Sequence, residues 1–198
     1  MVMNREPYVG VLWHCLPLAS SEYASLRQDS DEVHLHGVVV LPRDTLPCRI
    51  EYHVVVDRRW FPVSAAVTVT TPLHVHELRL AADASLRWRL NDESAPVLEG
   101  CSDIDLGWTP ATNTIPIRRL DLNVGESNTI TAGWIRFPEL DVVKSEQTYE
   151  RLAADRWRYR SGEYDFELVT DAASGLVMAY GEDLWKAVAT VESPRRTT

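Results

Sequence analysis

The sequence predicts a mainly β protein built on one strongly curved antiparallel sheet, a rolled sheet or half-barrel, with a short helix near the C-terminal end. Short segments rich in branched and aromatic residues recur along all 198 positions. Turn residues (Pro, Gly, Asn, Asp) close nearly every one of them. No repeat, low-complexity tract or linker divides the chain, and 45% hydrophobic content can bury a sizeable core. A single domain over residues 1–192 is therefore expected, with a disordered tail at 193–198. Many consecutive strands with little helix favour curling or closure, which removes exposed edges and can enclose a cavity. A sandwich is the competing architecture.

Residues 8–16 read as the first strand, 22–28 as the second and 33–41 as the third, ended by Pro42-Arg43-Asp44. In residues 49–56, Ile50, Tyr52, Val54 and Val56 fall on one face and Glu51, His53 and Val55 on the other. Residues 61–70 and 73–80 form a hairpin about Thr71-Pro72, and 86–90 a short strand centred on Trp88. Beyond a polar stretch at 100–120, Leu120, Leu122 and Val124 alternate with Asp121 and Asn123 as a strand. That register turns Arg118 inward and Arg119 outward. Residues 129–137 and 140–152 are two long strands, the second placing Val143, Ser145, Gln147 and Tyr149 on one face. Residues 156–160, 164–170 and 176–180 continue the meander. The stretch 182–191, with Leu184, Trp185 and Val188, has helical spacing.

The formal net charge of −9 and the lack of a basic stripe exclude a nucleic-acid binder and disfavour an anionic membrane surface. Three widely spaced cysteines, Cys15, Cys48 and Cys101, fit reduced thiols in the cytoplasm, and no metal motif contains them. Neither a signal peptide nor a transmembrane segment is expected.

The chemistry concentrates in GCSDIDLGWTPATNTIPIRRL, residues 100–120. Asp103 and Asp105 would share a strand face, which suits one hard cation. The α/β nucleotide-binding frame such a pair serves in metal-dependent transferases is absent, and no metal is assigned. Arg118 and Arg119 are the natural partners of these aspartates, or of an anionic ligand group. His34 with His36 and His74 with His76 could surround zinc only if their strands were neighbours. Cys101 has no His near it in sequence, Gly-x-Ser-x-Gly is absent, and no catalytic residue is assigned. Seven tryptophans are numerous for this length; most fill the core, and some could line a pocket.

Residues 100–106 (GCSDIDL) followed by 109–120 (TPATNTIPIRRL) resemble the bacterial putative glycolipid-binding protein family. Trp13 with Glu22-Tyr23, Pro47-Cys48-Arg49, Tyr52, Asp57, Trp60, Trp88-Arg89-Leu90, Trp134, Phe137-Pro138, Gln147, Tyr149, Gly175-Leu176-Val177, Tyr180 and Trp185 extend the resemblance. Gly107-Trp108 departs from the pattern, and the paired histidines do not belong to it. The resemblance implies a spiral β-roll akin to lipoprotein-carrier folds and a glycolipid or other amphiphile as partner. No cofactor is expected.

The expected function is thus non-enzymatic binding of an amphiphile in an apolar cavity of the rolled sheet. Asp103, Asp105, Asn113, Arg118 and Arg119 are the candidates for reading its polar head, and Trp13, Trp134 and Tyr149 for lining its site. Two alternatives stand beside it: a hydrolase or isomerase with Asp103 or Asp105 as general acid or base, and a structural or partner-binding domain without a ligand.

Overall fold

A computed structural model describes residues 8–15, 17–182 and 184–192. The tail expected at 193–198 lies outside them. The strands are β1 (Tyr8–Cys15), β2 (Ser20–Gln28), β3 (Glu32–Arg43), β4 (Leu46–Asp57), β5 (Pro62–Thr70), β6 (Val75–Ala82), β7 (Trp88–Leu90), β8 (Glu93–Ser94), β9 (Asp103–Leu106), β10 (Ser127–Ile135), β11 (Val142–Arg151), β12 (Arg156–Ser161), β13 (Tyr164–Thr170), β14 (Val177–Tyr180) and β15 (Trp185–Glu192). Among the described residues one short α-helix, α1 (Thr114–Leu120), stands between β9 and β10. All fifteen strands form one open sheet in the order β8-β7-β6-β5-β4-β3-β2-β1-β15-β14-β13-β12-β11-β10-β9. The pairings are antiparallel except β9 with β10, which is parallel.

Register explains why the sheet spirals. Trp13 pairs with Glu22, Glu22 with Val39, Val39 with Ile50 and Ile50 with Val69, so these side chains share one face. In the other direction that face runs through Trp185, Tyr180, Leu168 and Trp157 toward Tyr149, Ile130 and Ala132. The reverse face of β10 and β9, carrying Ile135, Ile104 and Leu106, joins the same core as Trp13, Val39 and Ile50. The β9–β10 end of the sheet therefore lies inside the curl of β1–β7. It has one core on its outer side and a second, formed by Ile117, Ile130, Tyr149, Trp157 and Leu168, on its inner side.

Two segments differ from their expected structure. Residues 185–192 form β15 rather than a helix, because pairing with both β1 and β14 satisfies their backbone and a register shift beside Trp13 breaks simple alternation. Trp185 is buried while Val188 and Val191 are exposed. The expected strand at 120–124 is absent: α1 ends at Leu120, Asp121 caps it in the left-handed region (φ 42°), Leu122 is buried and Val124 exposed. Pro116 sits in the first turn of α1, where its missing N–H costs no helical bond. The helix reverses the expected orientation of the arginines, leaving Arg118 exposed and turning Arg119 inward. The four histidines do not converge, since β4 and β5 separate β3 from β6. His34 instead stacks on His53, and His74 meets His76 edge-on.

Candidate functional site

The polar stretch at 100–120 is the plug of the roll. Ile104, Leu106, Trp108, Ala111 and Ile115 fill the outer core, and Ile117 enters the inner one. After β9 the plug leaves the sheet ladder for a covered turn and α1, so some of its N–H and C=O groups need partners that a ladder does not provide. Its side chains supply several of them. Thr112 Oγ1 accepts from Leu106 N (3.2 Å), Thr109 Oγ1 accepts from Ala111 N (3.0 Å), and Asn113 Nδ2 donates to Pro110 O (3.2 Å). Trp88 Nε1 donates to Cys101 O from outside the plug (3.0 Å).

The two aspartates share a face of β9 yet have different partners. Arg119 grips Asp103 through both carboxylate oxygens, aided by Ser102, whose Oγ donates to Asp103 Oδ2 (2.7 Å). Asp103 is buried, and Arg119 also lies 5.1 Å from the Phe61 ring. Asp105 has neutral partners: Gln147 Nε2 donates to Oδ2 (2.7 Å) and Thr112 Oγ1 to Oδ1 (3.3 Å). Desolvation raises its pKa to about 6, partly offset by those two bonds. Tyr149 OH donates to Asn113 Oδ1 (2.8 Å), tying β11 to the plug.

A third acidic group enters from β2. Glu22 is fully buried, and its Oε1 accepts from Tyr52 OH and from Thr109 Oγ1 (2.7 Å). Its Oε2 is buried without a partner among the described residues. Burial pushes its pKa up to about 8, against the pull of the two hydrogen bonds. Gly37 makes the arrangement possible, because a Cβ there would fall inside the Tyr52 ring that crosses it. Glu22 was not among the candidate residues, although it shares the parity of Ala24 and Leu26 on the buried face of β2.

The eight candidate residues therefore divide. Trp13, Asp103, Asn113 and Tyr149 are buried, the first donating through Nε1 to Val177 O (2.8 Å). Asp105 and Arg119 are partly buried within the plug network. Arg118 is exposed, 5.3 Å from the Trp60 ring, and donates to Ala173 O (3.2 Å). It borders a small polar recess of about 190 Å³ with Asp121, Arg151 and Asp171. Trp134 lines an open cleft of about 390 Å³ on the inner face of the roll.

A larger open groove of about 720 Å³ lies at the ends of the β3–β4 and β5–β6 hairpins. Val40, Leu41, Pro42, Leu46, Pro47 and Pro72 give it mostly apolar walls. For metal binding, donor atoms of Asp29, Glu32 and His34 lie within 4.8 Å of one another at the β2–β3 turn. Asp29 already accepts from Asp31 N and Glu32 N and pairs with His34. These bonds hold its pKa down to about 2.

Fold and site together define an open spiral β-roll whose curl is filled by its own chain. The family described as "putative glycolipid-binding" matches residues 10–186, and the chain belongs to that family. Among solved structures, it is similar to the crystal structure of a DUF1089 family protein from Pseudomonas aeruginosa, with TM-score 0.73 and 33% sequence identity. The match covers 82% of this chain and 90% of the other. No curated protein matches the sequence.

Proposed function

We propose that the protein is a non-enzymatic, cytoplasmic binder of amphiphiles of the glycolipid type, which takes up the apolar part of its ligand in the groove at the hairpin ends. The groove carries this reading: its mostly apolar walls border an open space of about 720 Å³, a size within the common range for small-molecule sites. Each methylene buried there would contribute about 0.8 kcal/mol. The family description adds support. The interior of the roll is a poorer seat, because residues of the plug already occupy it. Three free, buried cysteines agree with a reducing compartment, and among the described residues no helix is long and apolar enough to cross a membrane.

The raised pKa of Asp105 favours the enzymatic alternative. Both aspartates, however, have internal partners in Arg119, Gln147 and Thr112, which supports architecture over acid-base work. The test is native mass spectrometry of purified protein with lipid extraction, alongside a diverse lipid panel. Co-purified or added lipid should bind the native chain and be lost in Val40→Asp, which places a charge on an exposed groove residue. No lipid from either source, or uptake unchanged in the variant, would remove the groove reading.

A further inference from the structure

The inner face of the roll is only partly covered. Ile117 of α1 packs in the cluster of Ile130, Tyr149, Trp157 and Leu168. The same face continues past this cover. Ala132 pairs with Ser145, Trp134 lies one step further along β10 on the same side, and Ser161 pairs with Tyr164 at the β12–β13 turn. Ser145 Oγ meets Ser161 Oγ at 2.8 Å, which brings the two ends of this row together. The open cleft of about 390 Å³ lies here, lined by Trp134, Ser145, Ser161 and Tyr164, with Lys144 and Glu146 in its walls.

We infer that this cleft is a binding site for an uncharged pyranose ring, the sugar head of the amphiphile, with Trp134 and Tyr164 as its aromatic platforms and Ser145 and Ser161 as its hydroxyl acceptors. The inference rests on the amphiphile-binding reading and assigns the head a place of its own. Aromatic rings offer broad apolar faces that suit the C–H faces of a sugar. Tyr164 is half exposed and stacks through one side on Phe166, with ring centroids 5.9 Å apart, so the pair is a braced platform. The Trp134 indole lies directly over Gly107, where a Cβ would collide with Nε1, and Arg136 lies 5.8 Å from its ring.

Hydrogen-bond direction fixes what the floor can accept. Ser161 Oγ donates to Glu146 O (3.0 Å), so Ser145 donates to Ser161, and both hydroxyl oxygens retain lone pairs for a donor. Sugar hydroxyls are such donors. Lys144 and Glu146 line the cleft with opposite charges, and Arg136 beside Trp134 is paired with Asp141, so no unpaired charge there selects a phosphate or carboxylate.

The experiment uses the whole chain and two sets of probes: methyl glycosides of glucose, galactose and mannose, and decanol as a tail without a sugar. Saturation-transfer NMR should show contact to the ring C–H protons of at least one glycoside at millimolar concentration, with tryptophan fluorescence changing over the same range. Tyr164→Ala should weaken that glycoside at least tenfold, and Trp134→Leu should abolish the fluorescence response. Decanol uptake should be unchanged in Tyr164→Ala, which also verifies folding. If decanol binds and no glycoside does, or if Tyr164→Ala leaves glycoside binding intact, the sugar site is overturned while the amphiphile reading stands. If neither probe set binds, both fall.

Discussion

The outer and inner turns of the roll share one sheet but are filled differently. In the outer turn, the β1–β7 face packs against the plug, and hydrophobic side chains from both sides close the space. In the inner turn, α1 covers one part of the face and leaves Trp134, Ser145, Ser161 and Tyr164 bordering an open cleft. A stretch dense in polar residues thus serves mainly the filled region, where every buried backbone group needs a partner. Of the residues bordering the open region, Trp134 stands out in sequence, while Ser145, Ser161 and Tyr164 do not. Density of polar chemistry marks where the chain had to be buried, and sparse aromatic and hydroxyl groups mark where it was left accessible.

Substitutions can test this contrast, the largest effect being expected in the plug. Asp103→Ala leaves the mostly buried Arg119 without its carboxylate and should cost about 3–5 kcal/mol in chemical denaturation. If the loss is under about 1 kcal/mol, the ion pair is not what holds α1 to β9. Replacing both partners with apolar residues of similar volume should recover much of the loss.

Next in size is a pH effect. Glu22 has a folded pKa of about 8, against about 4.3 for an unperturbed Glu. The folded state therefore holds a proton that the unfolded state releases. This contribution is complete below the unfolded value and fades as pH rises toward the folded one. Asp105 acts in the same direction but only up to about 6. Between pH 7 and 8, above the range where Asp105 and His53, its pKa lowered by burial, contribute most, the slope should belong to Glu22, on the order of 1 kcal/mol per pH unit, and unfolding titrations of Glu22→Gln should lack it.

A smaller loss, about 1–3 kcal/mol, should follow Tyr149→Phe, which strands the buried Asn113 Oδ1. Thermal unfolding would measure it, and an unchanged midpoint would detach β11 from the plug network. Smallest of all, Tyr164→Ala in the open cleft should alter stability by less than about 1 kcal/mol, as surface changes do. A larger drop would mean that the aromatic row of the cleft belongs to the core.

The strands were legible because period-two alternation is strong where one face is buried, as in Ile50, Tyr52, Val54 and Val56 of β4. Helix and strand were confused at two places where tertiary contacts outweigh local pattern. Leu120, Leu122 and Val124 alternate like a strand, yet Leu120 ends α1 and Val124 faces solvent. Leu184, Trp185 and Val188 have helical spacing, yet β1 and β14 draw the segment into the sheet. The importance of residues 100–120 was legible from composition, but their use as a plug depends on which strands curl around them. Glu22 was missed because a lone Glu in a strand ordinarily points to water. Its parity with Ala24 and Leu26 on the buried face of β2 was the available signal.

The strand order has a consequence for how the molecule assembles. The two edge strands, β8 and β9, are consecutive in sequence, while β1 and β15 pair in the middle of the sheet, with Val9 opposite Glu192. Apart from the parallel β9–β10 pair, crossed over through α1, the sheet is thus two meanders joined at β1 and β15, and joining them must close a loop that spans from β1 to β15, the slowest kind of contact to form. A circularly permuted chain, linked across Tyr8 and Glu192 and opened at Pro96–Leu98, would have only sequence neighbours as sheet neighbours. It should reach the same roll faster, with the formerly last contact among the first to form.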